Sequence, residues 1–117
     1  DLFAVDVENK STKIKTGLVL NRTAITSNYS VLVSDYYVGI DTATPSAVIT
    51  ASLPAAQSLQ SGQTFVFKDE GGSAHQHSIL IKASGSQKID NQNKVVLESS
   101  YSSLSIYTDG ASKFFIT

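Results

Sequence analysis

Large apolar residues alternate with polar ones through most of this chain, in runs too short for helices. The clearest run is Thr64-Phe65-Val66-Phe67-Lys68, where Phe65 and Phe67 share one side, and Ser78-Ile79-Leu80-Ile81-Lys82 repeats it with Ile79 and Ile81. A period of two marks a strand with one buried face, so the pattern predicts two strands aiming their large residues at one core. Between them, Gly71-Gly72 supplies a turn that no bulky residue could make.

Further strands are predicted at Tyr29 to Val33, Tyr36 to Ile40, and Ala47 to Leu53, where Ala47, Ile49, Ala51 and Leu53 share a face until Pro54 ends the run. Ala55 to Gln60 is the one stretch where a helical turn is expected, and Gly62 stops it. Val95 to Glu98 resumes the sheet. Leu104, Ile106 and Thr108 then alternate up to Asp109-Gly110, the strongest hairpin signal in the chain, and Phe114 to Thr117 makes a closing strand. Short strands at spacings of about 8 to 12 residues point to a sandwich or barrel.

The first segment differs in texture. Leu2 to Val7 and Thr12 to Lys15 are tiny strand candidates around the polar turn Glu8-Asn9-Lys10-Ser11, and Gly17 punctuates before Leu18-Val19-Leu20. Such strands bury little alone. Either they add to the sheet of the domain that follows, or copies of the chain wrap together and supply each other's missing core. The expected organisation is a stalk-like segment, 1–23, and a head domain, 24–117.

Composition narrows the classes. At 117 residues the chain fits one domain with a real core. Charged residues make up only 16% and the net charge is -1, which argues against nucleic acid as a partner, since that normally needs a basic patch. Cysteine is absent, so no disulfide framework or cysteine-based zinc site is available. No apolar run approaches the roughly 18 residues of a membrane span, so membrane insertion is not expected. Asp1 stands where a start methionine would, with no basic-then-apolar leader before it, and the chain reads as a fragment of a longer polypeptide.

The order Asp35-Tyr36-Tyr37-Val38-Gly39-Ile40-Asp41-Thr42, Leu53-Pro54-Ala55-Ala56, Gly62-Gln63-Thr64-Phe65-Val66-Phe67-Lys68-Asp69-Glu70-Gly71-Gly72, Ile89-Asp90, and Tyr107-Thr108-Asp109-Gly110 with Phe114-Phe115-Ile116 resembles a C-terminal β-domain of bacteriophage tail-fibre and virion spike proteins. The likeness covers about residues 24–117, and Leu2 to Leu20 is similar to the strand-and-turn repeats linking a fibre shaft to its head. The resemblance implies a homotrimeric attachment domain on the virion surface, with a host cell-surface receptor, a glycan among the candidates, as its other partner and no catalytic apparatus or obligate cofactor. Two departures stand out. Lys113-Phe114 occupies the place near the closing strand where such domains often carry Trp, and His75-Gln76-His77 replaces a more usual Asn- and Ser-rich loop.

That His75-Gln76-His77 run is the sharpest local feature. On an extended segment the two imidazoles share a face, and three copies about a three-fold axis would offer six nitrogens to an octahedral divalent metal. The same parity with Ile79 and Ile81 equally places His77 at the edge of the core. Inter-strand loops are the expected receptor surface, with Ser73, His75, Gln76, Asn91, Gln92 and Asn93 as the contact residues. Tyr29, Tyr36, Tyr37, Tyr101 and Tyr107 offer ring faces suited to sugars, though each is also a packing residue. Asp35, Asp41, Asp69, Glu70 and Asp90 sit at turns, where Asp bonds its own backbone, and no spacing pairs them across a cleft as a hydrolase requires. No Gly-x-Ser-x-Gly nucleophile elbow is present. Asn21-Arg22-Thr23 and Asn28-Tyr29-Ser30 match the glycan-acceptor pattern.

Together these readings give an all-β chain, an antiparallel β-sandwich or jelly-roll-like head after a short β-rich stalk. Its expected role is multivalent attachment of a virus particle to its host. The alternatives are a carbohydrate-binding accessory module of a larger secreted protein and a purely architectural fibre spacer.

Overall fold

A computed structural model describes residues 2–117. The chain is all-β, with strands β1 (Phe3–Asp6), β2 (Ser11–Ile14), β3 (Arg22–Ile25), β4 (Tyr29–Ser30), β5 (Tyr37–Ile40), β6 (Ile49–Ser52), β7 (Thr64–Asp69), β8 (Ile79–Lys82), β9 (Lys88–Ile89), β10 (Lys94–Leu97), β11 (Ser103–Thr108) and β12 (Lys113–Ile116). Among the described residues the one helical element is a 3-10 turn at Ala56–Ser58, inside the stretch expected to turn. Among the described residues, no helix is long and apolar enough to cross a membrane.

Two sheets form the body. One runs in the order β3-β5-β7-β11-β12-β9 and the other β10-β8-β6-β4. Their inner faces share a single cluster, with Val38, Ile40, Phe65, Phe67, Ile106 and Phe114 from the larger sheet meeting Ile49, Ala51, Ile79, Ile81 and Leu97 from the smaller. The expected period of two is what buries them. Along β7 burial alternates so that Phe65, Phe67 and Asp69 point in while Thr64, Val66 and Lys68 point out.

Pairing within the sheets is mixed, where an antiparallel arrangement was expected. From β3 to β8 the chain alternates between the sheets, so β5 lies parallel to β3 and β7 to β5 in one sheet, while β6 lies parallel to β4 and β8 to β6 in the other. Parallel neighbours need a long crossover between them, and here the crossover is a strand of the opposite sheet. The chain thus winds as a flattened coil. Its later strands reverse, β10 onto β8 and β11 onto β7, both antiparallel. The Asp109-Gly110 signal does make an antiparallel hairpin, β11 to β12, and β9 closes the far edge in parallel with β12.

β1 and β2 pair only with each other. Cross-strand partners Phe3 with Ile14 and Val5 with Thr12 share one face, while Ala4 with Lys13 and Asp6 with Ser11 share the other. The hairpin is amphipathic, yet Phe3, Val5, Val7, Leu18 and Val19 are each more than 60% exposed. The sandwich itself begins at Arg22.

Candidate functional site

On the outer face of the larger sheet, the residues that alternate with the core form a mixed aromatic and basic surface. Tyr37 lies opposite Val66, Val66 opposite Ser105, and Tyr107 opposite Phe115, their rings tilted at 40° with centroids 5.4 Å apart. At the β9 edge, Lys113 and Lys88 are register partners. Each precedes a fully buried residue, Phe114 and Ile89, so both lysines project outward, as Phe115 does. A groove of about 600 Å³ opens there, lined by Lys88, Asp90, Asn91, Ser112, Lys113 and Phe115 among others.

Local hydrogen bonds fix that groove. Asp109 Oδ1 accepts from the N–H groups of Ala111 at 2.9 Å, Ser112 at 2.9 Å and Lys113 at 3.0 Å, and Thr108 Oγ1 donates to the Lys113 carbonyl at 2.8 Å. Those backbone donors, with Lys113 first, hold the Asp109 carboxyl below its ordinary range. On the facing side, Asp90 and Asn91 take left-handed conformations (φ 44° and 66°) that small polar residues tolerate. The Ile89 N–H donates to the Gln92 carbonyl at 2.7 Å and the Gln92 N–H returns to Ile89 at 2.8 Å. Asp90 Oδ1 accepts the Ile116 N–H at 3.3 Å, and Lys88 Nζ donates to Asn93 Oδ1.

The expected contact residues Asn91, Gln92 and Asn93 are all exposed; Asn91 lines this groove and Asn93 accepts a hydrogen bond from Lys88. Ser73, His75 and Gln76 lie elsewhere. Their loop leads into the start of β8, whereas Asn93 precedes β10 beside the end of β8, with Leu97 opposite Ile79 and Lys94 opposite Lys82. The two loops occupy opposite ends of one strand pair.

The extended geometry assumed for the histidines is not what forms. The N–H groups of Gln76 and His77 both donate to the Ser73 carbonyl at 2.9 Å, a tight turn in which His75 is exposed and His77 half-buried. Positions two apart on such a turn do not share a face as they would on a strand. Among the described residues, no group of three or more His, Cys, Asp and Glu converges as a metal site.

That turn is built on Asp69, which the sequence placed at a turn and which is fully buried. Its carboxylate accepts Thr42 Oγ1 at 2.6 Å and the N–H groups of Gly72, Ala74 and Tyr101, each at 3.0 Å. Burial raises its pKa, but the Thr42 hydroxyl and the three backbone donors outweigh burial and leave it below the ordinary 3.8. Gly72, at φ +78°, lies under the Tyr101 ring, where a Cβ would collide with the ring carbons.

Most of the remaining candidates serve the fold. Asp35 accepts Thr23 Oγ1 at 2.6 Å, Tyr29 Oη at 2.7 Å and the Leu32 N–H at 2.8 Å, which makes Tyr29 a packing residue. Asp41 Oδ1 accepts the N–H groups of Ala43 at 2.9 Å and Thr44 at 3.1 Å, as a turn aspartate does. Glu70 pairs with Arg22, its carboxyl lying over Gly39 where any Cβ would displace it. Asn21 donates to the Ser34 carbonyl at 3.1 Å, and Asn28 accepts the Thr50 N–H at 2.9 Å. Tyr36, half-buried, and Tyr37, exposed, meet edge to face with ring centroids 4.7 Å apart.

Lys88, Ser112, Lys113 and Phe115 were not named as contact residues from the sequence. The alternation Lys113-Phe114-Phe115 held the signal that Lys113 and Phe115 share a face; that Lys88 stands beside them depends on a parallel pairing with no local signature. No protein-family model matches the sequence, and a search of curated proteins finds no match.

Proposed function

We propose that this chain is the head of a multimeric fibre or spike on a virus particle, most simply a homotrimer, and that it serves host attachment. The observation that supports this reading is the uncovered β1–β2 hairpin. Among the described residues, seven of the fifteen exposed large apolar side chains fall at or before position 20: Leu2, Phe3, Val5, Val7, Ile14, Leu18 and Val19. An isolated two-stranded hairpin is marginal in water. Large apolar side chains gathered on one exposed segment mark a surface that packs against another molecule. Copies packing their hairpins together would cover it and carry several heads on one stalk, so that weak contacts at each head add through effective concentration.

Light scattering behind a sizing column tests this. The expected result is a stable oligomer, most simply a trimer, that becomes a folded monomer when residues 2–20 are removed. A full-length chain that stays monomeric at high micromolar concentration overturns the reading. Repeating the run with a chelator reads whether His75 and His77 share a metal between copies. The outer-face groove favours a second reading, a carbohydrate-binding module, which a sugar-binding monomer would support.

A further inference from the structure

We infer that the groove between β9 and the β11–β12 hairpin binds an acidic sugar residue, its ring against Phe115 and its carboxylate between Lys88 and Lys113. This rests on the attachment reading and names the class of receptor group the head would take.

Lys88 and Lys113 are adjacent on neighbouring strands and face the same way, an arrangement of like charges that costs stability unless something opposes it. Among the described residues the one ion pair is Arg22 with Glu70, so neither lysine is ion-paired with a carboxylate of its own chain, although the Lys113 charge lies near enough to Asp109 to help lower that carboxyl's pKa. An anion placed between them relieves that repulsion, and a charge-assisted hydrogen bond is about twice as strong as a neutral one. The groove is not built for a bare anion, however. Phe115 forms part of its wall, half-buried and stacked at a tilt on Tyr107, the kind of apolar ring surface on which the C–H face of a pyranose packs. Asp90 lines the groove too. With Oδ1 engaged by the Ile116 N–H, its other oxygen can accept a hydroxyl proton from a sugar, a donor that a bare phosphate or sulfate dianion does not offer. Asn91 and Ser112 complete a hydroxyl-reading rim. Cations, an aromatic wall and a carboxylate acceptor together fit a ligand that is at once anionic, apolar on one face and rich in hydroxyls.

The test is calorimetric titration of the intact chain with tetragalacturonate, with its full methyl ester, with 3′-sialyllactose and with inorganic phosphate. At least one acidic sugar is expected to bind, and the ester or phosphate to bind about fivefold more weakly or not at all. Lys113→Gln, at an exposed side chain, should weaken acidic-sugar binding about fivefold to tenfold, the loss of one charge-assisted contact. Lys88→Gln should do the same, and each variant's thermal melt checks its fold. Equal binding of the ester overturns the acidic assignment, equal binding of phosphate overturns the sugar, and no binding by either acidic sugar overturns the site. Light scattering on the same samples reads the oligomer independently. A trimer indifferent to acidic sugars removes this inference alone; a monomer that binds them keeps the site and removes the fibre reading.

Discussion

Two side chains, Phe67 and Asp69, sit two positions apart on β7 and hold the fold by opposite means. Phe67 is fully buried among apolar residues from both sheets, so Phe67→Ala should cost about 3 to 5 kcal/mol, read from the denaturant midpoint at unchanged slope. Asp69 is equally buried but charged, and ties the Thr42, Gly72, Ala74 and Tyr101 positions together. Its folded pKa lies below 3.8, and that of Asp35 is lowered as well. A depressed folded pKa contributes stability that is fully present above the unfolded pKa and is lost as pH falls through the folded value. The melting temperature should therefore hold between about pH 5 and 7 and fall steeply below about pH 4. Asp69→Asn, which leaves buried donors without their charged acceptor, should lose about 3 kcal/mol near neutrality and show a shallower acid limb. An acid limb as steep in the variant as in the parent would assign the effect to other carboxylates.

At the scale of elements, alternation made the strands legible and left their pairing hidden. Phe65 with Phe67 and Ile79 with Ile81 do face one core, yet β7 and β8 belong to different sheets and meet across it. Period two reports which face is buried and carries no information on which strand lies alongside. The β11–β12 hairpin was legible because Asp109-Gly110 is a local signal; its connection is a four-residue loop set by the Asp109 side chain. The parallel pairs were not legible, because each is made by strands separated in sequence by a visit to the other sheet. The groove follows the same logic. Asn91 to Asn93 could be named as an exposed turn, while the Lys88 and Lys113 pair exists only through the parallel contact of β9 with β12. The histidines failed differently: an extended segment was assumed where Ser73 accepts two N–H groups and closes a turn.

For the whole molecule, the decisive contrast is between a sandwich that buries its large residues and a hairpin that buries none fully. The chain spans 51 Å in its longest dimension against 20 Å in its shortest. Backbone hydrogen bonds in β1 and β2 are backed by no core of their own, so in an isolated chain they should open at little cost, while the strands around Phe65 and Phe67 open only with global unfolding. Assembly would change the first number and leave the second alone. Hydrogen exchange should thus find Phe3–Asp6 and Ser11–Ile14 protected about a hundredfold or more at concentrations where the chain is oligomeric, and fast-exchanging on dilution to monomer. Protection in β7 and β11 should stay constant across that range. Phe3→Ser, which removes one apolar contact without touching the sandwich, should shift the dilution midpoint to higher concentration and leave the head's melting temperature where it was. Equal protection of the hairpin in a proven monomer would mean that it packs on its own sandwich, and the case for copies covering one another would fall with it.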